Sequence, residues 1–177
     1  VVIVGALQYS DYSGYWEDFK FIEVGLKDLR QHPLDSRRRR EVHIVAFDAL
    51  SWTRRVRSDQ YREPYVLREL QKAYAACLGD LWDNDHEPRA LATGNWGCGA
   101  FKGDPQLKAL VQWLAASVAR RDVEYYPYGD DRLADLANLV KDIQSKSISS
   151  SSLYALICNC PSDRGVFEEV RARLSKI

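Results

Sequence analysis

The sequence predicts an α/β domain, layered, with helices on both faces of a sheet. Three observations predict it. Short β-branched apolar runs are interleaved with longer periodic segments, in the order strand, strand, helix, strand, helix, strand, helix. The periodic segments place their apolar residues on one helical stripe. A glycine-rich turn joins one strand to the clearest helix, which opens with Asp104 as cap and Pro105 at its first position.

The elements follow in order. Residues 1–5 form an apolar run that reads as a buried strand, and a polar, aromatic-rich loop follows over residues 8–15. Residues 20–41 read as irregular and end in Arg37, Arg38, Arg39 and Arg40. Residues 42–47 are β-branched and apolar, a second strand. Val66, Leu67, Leu70, Ala73, Tyr74, Cys77, Leu78 and Leu81 give the stripe of an amphipathic helix over 64–81. Residues 82–89 are a polar loop, and 90–92 a short strand that runs into the glycine-rich turn at 93–103. Leu107, Leu110, Val111, Leu114, Ala115 and Val118 make the buried stripe of the next helix. Residues 123–128 form a strand, and Gly129 and Asp130 turn the chain into a helix near 131–144. The serine-rich stretch 145–152 reads as a linker between helices or a cluster of N-caps. Two closing helices occupy 153–158 and 166–177.

Composition narrows the function classes. The 177 residues are 46 % hydrophobic and 28 % charged, as in ordinary globular chains. No apolar run approaches the ~20 residues of a membrane span, so no membrane partner is expected. Lys plus Arg equals Asp plus Glu at 25 each, so any anion recognition must be local. Cys77, Cys98, Cys158 and Cys160 lack zinc spacing and read as free thiols of a reducing compartment. His32, His43 and His86 are scattered, and no metal is expected. The sequence contains no Met, which reads as a fragment or a processed chain with further sequence upstream.

The informative stretch is Gly94, Asn95, Trp96, Gly97, Cys98, Gly99, Ala100, Phe101, Lys102 and Gly103, between a strand and a helix. Glycines let backbone amides turn inward and approach a ligand closely, and the helix beginning at Asp104 adds its positive end. Together these suit phosphate or diphosphate. Taken alone, the stretch is equally a tight strand-to-helix turn without a ligand. It is neither a P-loop nor a dinucleotide-binding fingerprint.

Residues 94–101 resemble the diphosphate-binding loop of poly(ADP-ribose) glycohydrolases. The likeness extends to Gln8, Tyr9, Ser10, Asp11, Tyr12, Ser13, Gly14 and Tyr15, to residues 40–50 with the strand through Ile44, Val45, Ala46, Phe47, Asp48, Ala49 and Leu50, and to residues 72–74, 107–110 and 125–130. It covers roughly residues 1–130 of a single partial domain, with the closing helices of 145–177 unmatched. The resemblance implies a macrodomain-like mixed sheet with helices on both faces, lacking its N-terminal portion. It implies that residues 94–101 wrap the diphosphate, with Asn95 and Phe101 helping to hold a distal ADP-ribose. Tyr15 would be a clasp over the ligand, and Tyr128 would take the place of an aromatic that packs on adenine. Read without the family, Tyr9, Tyr12 and Tyr15 are surface aromatics, Tyr128 is core, and Trp96 is packing beneath the loop.

Two positions depart from the family pattern: Lys102 where relatives carry Gly, and Leu7 where a polar residue is usual. The family's catalytic signature, a triple glycine followed by Gln-Glu-Glu, does not occur in this sequence. Glu168 and Glu169 are its only adjacent glutamates and fit the solvent face of the last helix. The resemblance therefore implies hydrolysis of the ribose–ribose bonds of poly(ADP-ribose), with the acids supplied from upstream sequence. The alternative is an inactive macrodomain that reads ADP-ribose. Expected partners are poly(ADP-ribose), ADP-ribose and poly(ADP-ribosyl)ated proteins, with no direct nucleic acid and no cofactor. The expected setting is the DNA damage response, in the nucleus or the cytoplasm. Read functionally, the Arg37 to Arg40 run contacts polymer phosphates. Read without function, it is a solvated loop, with Asp35 and Glu41 partly neutralising it.

Overall fold

The computed structural model describes residues 1–6, 10–14, 16–23, 33–79, 89–160 and 165–177. The chain divides into two compact units, Val1–Ala46 and Phe47–Ile177.

Among the described residues the first unit holds β1 (Val2–Val4), β2 (Asp11–Ser13), β3 (Lys20–Glu23) and β4 (His43–Val45). β1 pairs antiparallel with β4, Ile3 opposite Ile44, and β2 pairs antiparallel with β3. The strand at the start of the sequence forms, but the reading of it as buried does not hold. Val1 is 86 % exposed and Ile3 47 % exposed. Among the described residues this ribbon has no third strand, and two strands alone cannot cover both of their faces. β2 lies inside the segment read as a loop, because Asp-Tyr-Ser shows no apolar alternation. β3 lies inside the segment read as irregular, although Phe21 and Ile22 are residues that favour strands. Residues 24–32, which complete that segment, lie outside the described residues. The arginine run is a tight turn built on Asp35. Its carboxylate accepts from the amides of Arg37 at 2.9 Å and Arg39 at 2.7 Å and pairs with the Arg39 guanidinium at 2.6 Å.

The second unit holds α1 (Glu63–Cys77), β5 (Leu91–Gly94), α2 (Pro105–Val118), β6 (Val123–Tyr126), α3 (Leu136–Ser145), α4 (Ser150–Ile157) and α5 (Val166–Leu174). β5 and β6 are parallel, with Gly94 opposite Tyr126. A 3-10 turn, Arg57–Tyr61, precedes α1, and another, Asp131–Leu133, precedes α3.

α2 is the centre of this unit. Leu107, Leu110, Val111, Leu114 and Ala115 are buried as the stripe predicts, while Val118 at the helix end is 50 % exposed. Lys108, Ala109, Gln112 and Ala116, off the predicted stripe, are buried too. A helix packed on several sides is inward-facing around most of its circumference, which a one-stripe reading does not capture. Val66, Ala73 and Cys77 of α1, Leu139 and Ile143 of α3, Leu153 and Ile157 of α4, and Val166, Val170 and Leu174 of α5 complete the core. Leu67, predicted on the α1 stripe, is 41 % exposed instead.

Caps set the boundaries. Asp104 accepts from the amide of Leu107 at 2.9 Å, and Pro105 opens α2 as expected. Asp130 caps the 3-10 turn, so α3 begins later than the pattern suggests. Ser149 accepts from the amide of Ser152 at 3.1 Å, so the serine-rich stretch does contain an N-cap. Leu81 and the polar loop after it, up to His86, lie outside the described residues. Glu168 is exposed, and Glu169 pairs with Arg173 one turn along α5 at 2.7 Å. No disulfide joins the four cysteines. Among the described residues no helix is long and apolar enough to cross a membrane.

Candidate functional site

The site grows from the end of β5. The parallel pairing carries Gly94 alongside Tyr126, so close that a Cβ at residue 94 would stand 2.7 Å from the Tyr126 carbonyl oxygen. Only glycine fits there. Beyond it the chain makes two tight turns in succession. The Cys98 amide donates to the Asn95 carbonyl at 3.0 Å, and the Lys102 amide to the Gly99 carbonyl at 3.1 Å. The Gly103 amide closes the loop on the Gly97 carbonyl at 3.0 Å. Gly97 sits at φ +75°, and a Cβ on it would lie 2.6 Å from Ala49 Cβ, so glycine is required here as well.

This wiring leaves a consecutive set of donors. Among the described residues, the amides of Gly99, Ala100 and Phe101 have no acceptor. Gly99, Ala100 and Phe101 are all exposed, and around Gly99 nothing lies within 4 Å of where a Cβ would stand. Successive backbone amides beside left-handed residues form the concave nest that suits an anion; Lys102, next in sequence, is left-handed at φ 60°. The sequence suggested loop amides together with the helix end, and the loop amides are the ones left without an acceptor among the described residues. The Asp104 carboxylate already occupies the first turn of α2, where it accepts from Leu107, and the Tyr61 hydroxyl donates to it at 3.0 Å. The Gln60 side chain accepts from the Asp104 amide at 2.7 Å and ties the same corner down.

Side chains brace the loop on both sides. The Asn95 amide donates to the Pro127 carbonyl at 3.1 Å and accepts from the Tyr125 hydroxyl at 3.0 Å. Asn95 thereby ties the glycine loop to the turn after β6. Trp96 packs as a structural residue beneath the loop. Its ring lies 4.5 Å from that of Phe47, and its Nε1 donates to the Phe47 carbonyl at 3.2 Å. The Cys98 thiol donates to the Trp96 carbonyl. Burial, then the Asp104 carboxylate nearby, push this thiol up to about 12, so it stays protonated. Burial likewise raises the Tyr125 hydroxyl, which remains a donor.

Tyr128 is not core. β6 ends at Tyr126, and Tyr128 and Gly129 both adopt left-handed backbone, at φ 53° and 73°. That turn swings the ring outward to 85 % exposure, and its edge would meet a Cβ on Gly94 at 3.0 Å. Phe101, 42 % exposed, ends the nest. Tyr15, Tyr9, Gln8 and Leu7 lie outside the described residues. An open cleft bounded by Trp113, Tyr125, Asp130, Leu136 and Ile148 shares Tyr125 and Asp130 with this region, yet none of residues 94–101 lines it. Among the described residues no group of His, Cys, Asp and Glu gathers as metal ligands do.

Sequence reasoning missed a buried ionic layer. Lys108 of α2 pairs with Glu69 of α1, and its ammonium stands 3.9 Å from the centroid of the Trp96 ring. Burial, then the Arg68 guanidinium, pull the ammonium down to about 7. Gln112, one turn further along α2, donates to the Gly94 carbonyl at 3.1 Å and accepts from the Thr93 hydroxyl at 2.6 Å. The signal was available: Lys108 and Gln112 are four residues apart in an otherwise apolar run, on one face of the helix.

Over 93 % of its length the chain is similar to poly(ADP-ribose) glycohydrolase 1 of Arabidopsis thaliana, at 29 % identity, and covers 41 % of that protein. It is 30 % identical to poly(ADP-ribose) glycohydrolase 1 of Caenorhabditis elegans across 90 % of the chain and 21 % of that protein. It thus spans well under half the length of these relatives. The family described as poly(ADP-ribose) glycohydrolase, macro domain fold, matches residues 1–135. With most of its length matched, including the whole glycine loop, the chain belongs to the poly(ADP-ribose) glycohydrolase family and has the macro domain fold.

Proposed function

We propose that the protein hydrolyses the ribose–ribose glycosidic bonds of poly(ADP-ribose) and releases ADP-ribose. In this reading residues 94–101 hold a diphosphate. The observation that carries it is the run of three amides at Gly99, Ala100 and Phe101 that are left without an acceptor among the described residues. Ligand-facing amides of this kind are matched by an anion at little reorganisation cost, because their geometry is already set. Tyr128 and Phe101 both offer exposed rings. A ring face against a base contributes about 1–3 kcal/mol, which suits Tyr128 to adenine and Phe101 to the adjoining ribose. Tyr15 is the proposed clasp on the strength of the resemblance.

The general acid comes from outside these 177 residues, since the sequence has no Gln-Glu-Glu and Glu169 is engaged with Arg173. A carboxylic acid there protonates the leaving ribose hydroxyl while water attacks the anomeric carbon, with general acid–base help worth about 10²–10⁴-fold. The chain contributes binding and orientation.

The test has two arms on the full-length protein: release of ADP-ribose from poly(ADP-ribose), and calorimetric titration with ADP-ribose for wild type, Asn95→Ala and Phe101→Ala. Release of ADP-ribose, with binding weakened by both substitutions, supports the proposal. Saturable binding without release would replace it with an inactive ADP-ribose binder. No binding by folded protein would overturn the assignment of the loop.

A further inference from the structure

The apolar logic of α2 does not account for Lys108. Its side chain is 1 % exposed and its ammonium touches the carboxylate of Glu69, itself 6 % exposed. The remaining charges around it belong mostly to α1 and the segment before it. The other Glu69 oxygen accepts from the Leu50 amide at 3.0 Å and from Arg68 at 2.6 Å. Arg68 also binds Asp48, as does Lys72 at 2.8 Å. From the loop side the Trp96 ring faces the ammonium. On its own helix, Asp104 lies one turn earlier, with its carboxylate engaged by Leu107 and Tyr61.

An isolated buried pair is a poor stabiliser, because removing two charges from water offsets most of their attraction. This pair has a particular address. Lys108 Nζ lies 3.4 Å from where a Cβ on Gly97 would stand, and Lys108 Cε lies 3.2 Å from the corresponding point on Gly103. Those two glycines are the ends of the hydrogen bond that closes the loop. The ammonium therefore sits directly under the turn that presents Gly99, Ala100 and Phe101.

We propose that Lys108 is a positioning residue for diphosphate binding: gripped by Glu69 and the Trp96 ring, it holds the Gly97-to-Gly103 turn in its anion-receiving form. Glu69 and the ring keep its head group oriented beneath that turn. This rests on the reading of the loop as a diphosphate cradle.

The experiment is calorimetric titration of the full-length protein with ADP-ribose, together with urea unfolding, for wild type, Lys108→Met and the double variant Glu69→Gln/Lys108→Met. Lys108→Met strips one of the two cations from the buried Glu69 carboxylate and leaves it to Arg68 and the Leu50 amide, so it lowers stability as well as affinity. The double variant removes that under-compensated charge, and the amide oxygen introduced by Glu69→Gln still accepts from the Leu50 backbone. Its stability recovers toward wild type while its ADP-ribose affinity remains about tenfold weaker. If Lys108→Met fails to fold, the double variant carries the test by itself. Affinity that returns together with stability, or stays within about twofold of wild type, would overturn the proposal and leave the pair as packing only. Absence of binding by wild type would instead overturn the reading of the loop, and this inference with it.

Discussion

Gly97 offers the sharpest test of the loop, because the structure specifies what a single methyl group would meet. In Gly97→Ala the new Cβ would lie 2.6 Å from Ala49 Cβ and 3.4 Å from Lys108 Nζ, on a backbone at φ +75°. The left-handed conformation costs a non-glycine residue about 1–2 kcal/mol. Forcing an extra methyl into a filled site costs typically about 1–3 kcal/mol. The sum is a loss of roughly 2–5 kcal/mol, a large share of the ~5–15 kcal/mol of a typical domain. The displacement falls on the residue whose carbonyl accepts from Gly103, so the turn opens and ADP-ribose binding falls as well. Gly99→Ala is the control. Nothing lies within 4 Å of its Cβ position, so stability should change by less than about 0.5 kcal/mol, while the methyl group intrudes on the space over the free amides and weakens ADP-ribose binding. Urea unfolding followed by calorimetry measures both quantities. A Gly97→Ala protein as stable as wild type would refute the packing argument. Wild-type affinity in Gly99→Ala would refute the placement of the anion over that residue.

Three further outcomes follow from the same geometry. Lys102→Gly relieves a lysine held at φ 60°, a gain of about 1–2 kcal/mol less the ~0.5–1 kcal/mol of chain entropy that glycine adds, so it should stabilise the protein by at most about 1 kcal/mol; its ADP-ribose affinity, compared with wild type, then shows what the Lys102 charge contributes beside the phosphates. Asp104→Ala removes the cap of α2 and the acceptor of Tyr61 together, a loss of about 2–4 kcal/mol in urea unfolding. The Cys98 thiol, pushed up to about 12 by burial, stays protonated at about pH 8.5, so alkylation there should be far slower than for an exposed cysteine and should accelerate only well above about pH 10; peptide mapping after timed iodoacetamide treatment reads this directly.

Much of the fold was legible in the sequence where local chemistry settles it. Pro105 and Asp104 open α2, the stripe from Val66 to Cys77 forms α1, and β5 and β6 appear within a residue or two of their expected positions. These signals lie within one or two turns of chain, so neighbouring residues suffice to read them. β2 and β3 were not legible, because Asp-Tyr-Ser shows no apolar alternation and Phe21-Ile22 is too short an apolar run to be read as a strand without the partner it pairs with. The same holds for Tyr128. Its place at a strand end looked like core, and only two successive left-handed residues, set by the turn as a whole, turn it outward.

The sequence by itself determined the glycine loop, its strand-to-helix setting and the family, because residues 94–101 are contiguous and glycine has a narrow set of uses. Tertiary structure alone decided which amides remain free, which anion position the Asp104 carboxylate already fills, and that Lys108 and Glu69, far apart in sequence, meet beneath Trp96. Hydrogen bonding and burial depend on residues distant along the chain. A lysine in an apolar run is only an anomaly in sequence, and it gains a role when the opposing helix places a carboxylate against it.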